Sequence, residues 1–256
     1  SFALSPTRGM MARAAEHHKA GRLEEAEQLC RRVLQKEPRH VDALRMLGLI
    51  AAAAGDLDEA EKLLSQAIDV APDHVGAMFE LGRVLKELER PDDAIAIYQQ
   101  LIKLQPDNHR AHYRLAGALA PAALNEQSAA AYRRCLELAP EHAGAWLGLG
   151  HMLKTLGQQQ EGIDAYRRCL ALEPEFGEAY FSLANLKTYH FDDAEIAAMQ
   201  ERLASDTVRD ASRVNFLFAL AKAYEDRKDY QTAWQYYAEG NAKQRQLVSY
   251  DPVLTE

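Results

Sequence analysis

The chain is short of the features that usually carry chemistry. It has three cysteines in 256 residues, too few for a disulfide framework. No apolar run approaches the ~18 residues a membrane helix needs, and the N-terminus has no uninterrupted apolar core of a secretion signal. Positive charge is also in deficit: 30 Lys and Arg against 38 Asp and Glu give −8. That balance disfavours unspecific binding to nucleic acid or to an anionic membrane. No phosphate loop, dinucleotide fingerprint, C-x-x-C or H-E-x-x-H occurs. Gly144, Gly148 and Gly150 fall inside one predicted helix and report packing. His17 and His18 are adjacent, so one helix face cannot present both to a metal. No nucleophile, base and orienting group stand in a catalytic pattern. The expectation is a chain that is not an enzyme, with no cofactor, no metal and no catalytic residue.

What is present is a period. Proline recurs at Pro38, Pro72, Pro106, Pro140 and Pro174, always 34 residues apart. Self-similarity at a fixed period of this size marks a stacked repeat. With Thr7 as the first position, units begin at Val41, Val75, His109, Ala143 and Gly177. The eighth position is Ala14, Gly48, Gly82, Ala116, Gly150 and Ala184, always small. The twentieth is Ala26, Ala60, Ala94, Ser128 and Gly162, again small. The twenty-fourth is Cys30, Leu64, Tyr98, Tyr132 and Tyr166. Apolar residues three and four apart predict two helices per unit. Gly21, Gly55 and Gly157 separate them, acids open the second helix, and the proline ends it. The small sites let the paired helices approach.

This pattern resembles the tetratricopeptide repeat. Unit five carries the family signature as Trp146, Leu149, Gly150, Leu153, Gly162, Tyr166 and Pro174. The resemblance implies an all-α fold, an α-solenoid of helix-turn-helix repeats in a right-handed superhelix. The expected organisation is one array over residues 1–247. Its units span about 7–40, 41–74, 75–108, 109–142, 143–176, an irregular 177–213, and 214–247. Residues 248–256 read as a linker or tail.

Several local expectations follow. Arg13 and His17 make unit one a polar end repeat. Pro121 should end the first helix of unit four near Ala120, with Asn125 capping the next. After Gly177 a normal first helix is expected, then a lost register with a helix near 192–203, and recovery at Val214. The last helix should reach about Leu247. The cysteines occupy packing positions and, reduced, fit a cytoplasmic setting. His40, His74 and His142 share the last unit position and read as exposed turn residues.

In this family the first helices line the inner wall, and position five points to it. Here position five is Met11, Arg45, Phe79, Tyr113, Leu147 and Phe181. Positions six, nine and twelve add Arg114, Arg83, His151, Asn185, Lys86 and Lys154. The proposed wall is therefore basic and aromatic within an acidic chain, with Glu80 and Glu178 the nearest acids. Aromatics offer flat apolar area and Arg offers paired hydrogen bonds to carboxylate. The expected partner is a protein or peptide, extended and acidic or tyrosine-containing. No unit has Lys at position five, which excludes the chaperone-tail carboxylate clamp known in some relatives.

A second resemblance is confined to residues 177–250. The phrases Ala184-Asn185-Leu186-Lys187-Thr188 and Phe191-Asp192-Asp193-Ala194-Glu195-Ile196 resemble the repeat region of bacterial proteins in which such an array precedes a sulfotransferase-like domain. Residues 219–241 share that likeness. It implies a non-catalytic, substrate-recruiting part of a larger sulfotransferase, whose catalytic domain is absent from this chain.

Overall fold

The computed structural model describes residues 6–205 and 207–247. The tail expected at 248–256 lies outside the described residues. Those residues form fourteen α-helices and no strand, and no helix is long and apolar enough to cross a membrane. The chain divides into two compact units, Ser1–Leu138 and Ala139–Glu256.

The first unit holds four helical hairpins. They are α1 (Pro6–Lys19) with α2 (Leu23–Lys36), α3 (Val41–Ala53) with α4 (Leu57–Val70), α5 (Val75–Glu87) with α6 (Pro91–Leu104), and α7 (His109–Leu119) with α8 (Asn125–Leu138). Within this unit α2, α4 and α6 also pack on the next first helix, α3, α5 and α7. The small-site rule has a direct cause. A Cβ at Gly48 would stand 2.7 Å from Leu64 Cγ, and one at Gly82 2.5 Å from Tyr98 Cζ. The large twenty-fourth residue fills the space that the eighth leaves. Tyr98 is 1 % exposed there, and burial of such a side chain stabilises by ~1.5–3 kcal/mol. Ser128 is tolerated at a buried small site because its hydroxyl donates to the Ala116 carbonyl at 2.8 Å.

The helix ends follow from local chemistry. The residue before each proline is forced out of the helical region. Glu37, Ala71 and Gln105 sit at φ −132, −137 and −135 with ψ 83, 88 and 80. The turn between paired helices needs one residue in the left-handed region. Among the described residues these are Gly21, Gly55, Glu89, Ala123, Gly157 and Lys228, all at the fifteenth position of their units. Glycine meets that need in only three of them.

Two expectations are corrected here. His40 and His74 are half-buried helix caps, not exposed turn residues. Their Nδ1 atoms accept the Ala43 and Ala77 amides at 3.3 and 3.0 Å, satisfying donors that a helix start leaves unpaired. Asn108 does the same for Ala111 at 3.2 Å. Asn125 is not a cap but the first residue of α8. The cap position falls on Leu124, whose carbonyl accepts the Ser128 amide. The first helix of that hairpin does stop at Leu119, with Ala120 as its cap.

The second unit begins regularly, with α9 (Ala143–Thr155) and α10 (Gln159–Leu172). His142 caps α9 through Nδ1 to Ala145 at 3.1 Å, so it too is not an exposed turn residue. Gly150 meets Tyr166 as Gly82 meets Tyr98, with a Cβ 2.6 Å from the ring. Then α11 (Gly177–Ala184) stops after eight residues, a correction to the expected normal helix. The next helix, α12 (Asp193–Ala204), carries a complete capping box between Asp192 and Glu195. It packs on α13 (Asp210–Asp226), which also receives α11 and pairs with α14 (Tyr230–Leu247). Tyr180, Tyr189, Phe191 and Phe216 are buried between these elements. Gly177 is required by a close approach: a Cβ there would stand 2.6 Å from the Ser212 carbonyl oxygen.

Candidate functional site

The candidate wall draws on first helices of both compact units. In the first, α5 presents Phe79, Arg83 and Lys86 at spacings of four and three, one helix face. Phe79 is half-buried and Lys86 exposed. On α7, Tyr113 is half-buried and Arg114 exposed. The rings are backed by the second helices: Phe79 lies 6.4 Å from Tyr98 and Tyr113 5.9 Å from Tyr132. Arg45 on α3 is half-buried. Its Nε lies 3.9 Å from Asp42 Oδ1 and makes no hydrogen bond.

The wall is less basic than its residue types suggest. Arg83 donates from Nε to Glu80 at 3.2 Å and from Nη1 to Glu87 at 2.6 Å. Glu87 stands four residues on along the same helix, so Arg83 is neutralised within α5. Lys86, Arg114 and Lys154 form no ion pair among the described residues.

Position two of the unit was missed by sequence reasoning. Arg110 occupies it in unit four, and its guanidinium carbon lies 5.3 Å from the Phe79 ring centroid. The stacked cation covers one face of that ring. A Cβ at Gly76, the same position one unit earlier, would stand 3.4 Å from Arg45 Cδ. Position two therefore lies beside position five of the preceding unit. The signal was available: reading position two down the repeats gives Asp42, Arg110 and Glu178, each a charged neighbour of a wall residue.

In the second unit, α9 offers Leu147, His151 and Lys154. Leu147 is 8 % exposed and belongs to the core, so it supports the wall without presenting surface. Lys154 is exposed. His151 is half-buried, with Nδ1 2.9 Å from Tyr166 Oη and Nε2 3.2 Å from Glu178 Oε1. The His151 imidazole beside it holds the Glu178 carboxyl below its ordinary pKa. On α11, Phe181 is 37 % exposed. Its ring lies 6.2 Å from Phe218, which lies 6.4 Å from Tyr237. Asn185 turns back on its own helix: Nδ2 donates to the Phe181 carbonyl at 2.9 Å. The same carbonyl also accepts the Asn185 backbone amide at 3.2 Å, so Asn185 caps the short α11 with both groups.

The three cysteines are free and buried. Burial pushes the Cys30 and Cys135 thiols up to about 11 and Cys169 to about 12. Among the described residues, no three His, Cys, Asp or Glu side chains gather as a metal site would require.

Tetratricopeptide repeat models match residues 17–78 and 51–120, 109–142 and 143–186. Together they span well over half the chain. The chain belongs to the tetratricopeptide repeat family. Solved structures of similar fold include MamA from Desulfovibrio magneticus RS-1, at 20% identity and TM-score 0.62. That match covers 67% of this chain and 98% of that one. YrrB, described as a TPR protein with an unusual peptide-binding site, matches at 18% identity and TM-score 0.59. It covers 66% of this chain and 88% of its own. No curated protein matches the sequence. The sulfotransferase-like resemblance of residues 177–250 finds no support in these comparisons.

Proposed function

We propose that this tetratricopeptide repeat chain is a protein-interaction scaffold that takes an extended polypeptide along the first-helix wall of its repeats. One observation carries the reading. In the first unit, the half-buried rings of Phe79 and Tyr113 lie on first helices that also carry Lys86 and Arg114, and in the second unit exposed Phe181 and Lys154 lie on first helices; none of these three cations forms an ion pair among the described residues. Such rings give contact area at low entropic cost, and unpaired cations favour acidic side chains on the partner. The same wall suits tyrosine-containing segments, whose rings can stack on Phe181. Kinship of fold with YrrB, which has a peptide-binding site, agrees with this. A cytoplasmic setting suits three unpaired thiols.

The test begins with a displayed peptide library selected on the whole chain. Phe79→Ala and Phe181→Ala should each weaken a selected peptide by about tenfold or more, as aromatic anchors do. Arg114→Glu should weaken acidic peptides most, and less so at high salt. Selected peptides indifferent to all three, yet lost on changes in the second helices, would refute the reading.

A second reading is a substrate-recruiting module of a larger sulfotransferase. It is supported only by the phrases in 177–250, the segment where the repeat register is lost. A coding sequence that continues past Glu256 into a phosphosulfate-binding domain would decide for it.

A further inference from the structure

Position nine of the repeat differs in one hairpin. It is Ala15, Leu49, Arg83, His151, Asn185 and Lys222 in the other units, but Gly117 in unit four. In unit five the side chain at this position anchors a tyrosine. His151 Nδ1 lies 2.9 Å from the hydroxyl of Tyr166, the twenty-fourth residue. In unit four the equivalent hydroxyl belongs to Tyr132, and glycine at position nine offers it no side chain to bond. Tyr132 makes no hydrogen bond among the described residues. A Cβ on Gly117 would meet only Lys86 Nζ at 3.6 Å and Tyr132 Oη at 3.9 Å. Two donors therefore converge on a gap in the wall floor. Arg114 stands three residues before Gly117 on the same face of α7. An ammonium and a phenol at the gap, with a guanidinium on the same helix, are a donor set for an acceptor, and Glu80, the nearest acid of α5, is already bonded to Arg83.

We propose that this gap is a carboxylate subsite. An Asp or Glu side chain of the bound polypeptide sits over Gly117 and accepts from Lys86 Nζ and Tyr132 Oη, with Arg114 alongside. The inference rests on the wall reading above and assigns one residue class to one place on it. Tyr132 is a donor at neutral pH, since burial pushes its hydroxyl up to about 12. Hydrogen bonds from ionised groups to a carboxylate are shorter and stronger than neutral ones.

The probe is a fluorescein-labelled hexaglutamate amide, with hexaglutamine as its control, followed by anisotropy on the whole chain at low salt. Wild type should bind hexaglutamate at least about tenfold more tightly than hexaglutamine. Lys86→Gln should weaken it about tenfold and Tyr132→Phe about threefold, in keeping with charged and neutral hydrogen bonds. The decisive variant is Gly117→His. Its imidazole should occupy the gap and bond Tyr132 as His151 bonds Tyr166. The chain should then melt no lower than Gly117→Ala while losing hexaglutamate about tenfold or more. Unchanged affinity in Gly117→His overturns the subsite, as does a wild type that fails to prefer hexaglutamate. Affinity that resists Gly117→His but falls with Phe79→Ala overturns the subsite alone. Indifference to both overturns the wall reading with it.

Discussion

The hairpin α5–α6 and the segment from α11 to α13 start from the same first-helix pattern and end differently. In the hairpin, Leu81 and Gly82 are followed by a full helix, and Tyr98 returns from α6 to fill the space above Gly82. In the segment, Leu183 and Ala184 occupy those positions, but the twenty-fourth residue is Gln200, which is exposed. The small residue has no large partner. Ala184 instead shares a core with Tyr189 and Phe191, whose rings lie 5.2 Å apart, with Tyr180 at 6.2 Å from Phe191 and 5.4 Å from Phe216. The repeat is therefore held by a pair of sites, small and large, and half of the pair does not propagate it. Where the large half is missing, an aromatic cluster assembles from the connecting residues and α13.

That contrast can be broken by adding one methyl group. Gly177→Ala should be the most damaging, because its Cβ would stand 2.6 Å from a backbone carbonyl oxygen that no rotamer change can move. A loss of about 3 kcal/mol or more is expected, the upper end of overpacking costs. Gly82→Ala meets the ring of Tyr98 at 2.5 Å. A ring can tilt, so about 1–3 kcal/mol is expected there. Gly162→Ala meets nothing closer than 3.4 Å, and its equivalents Ala60 and Ala94 are fully buried. That change should be neutral or stabilise by up to ~1 kcal/mol through helix propensity. Denaturant unfolding of the three variants should return that order; Gly82→Ala outranking Gly177→Ala would undo the account of α11.

Smaller effects separate the regular hairpins from one another. His74→Ala should cost about 1 kcal/mol by removing the cap on Ala77, and His74→Asn should restore it, as Asn108 caps α7. Equal melting temperatures for wild type and His74→Ala would show that the imidazole cap contributes nothing. At the fifteenth position, Gly55→Ala should destabilise by about 1 kcal/mol, since φ there is 83. Glu89→Gly, at φ 57, should be neutral or stabilise by up to ~1 kcal/mol. The signs, read from thermal melts, matter more than the sizes.

Those sites also show what could be read before folding. The 34-residue period, the small and large positions, and the helix ends before proline were legible because steric exclusion and a missing N–H act through single residue types. The histidine caps were not, because histidine is outside the usual capping set and a repeated polar turn residue has a blander explanation. The left-handed turns at Glu89, Ala123 and Lys228 were hidden by the absence of glycine; only the fifteenth register position betrays them. The candidate wall was legible as residue types on one helix face. Its charge was not, because Glu87 and the position-two residues had not been placed against it. Asn185 and Leu147 were on the right helices but turned to an end carbonyl and to the core.

The smallest expected effect concerns the His151–Glu178 contact, which unit four lacks. The contact with His151 lowers the Glu178 pKa in the folded chain. A carboxyl whose folded pKa lies below its unfolded value contributes stability above the ordinary carboxylate range. The contribution is lost as pH falls through the folded pKa. Wild type should therefore lose part of its stability on acidification that His151→Phe never had, and the two unfolding curves should converge at low pH. Glu178 is more than half exposed, so solvent screens the pair and the difference should be slight. A direct reading comes from the Glu178 carboxyl resonance, which should titrate at higher pH in His151→Phe than in wild type. An unchanged titration would mean that the imidazole only fills space above Tyr166, and that the contrast between His151 and Gly117 is one of volume alone.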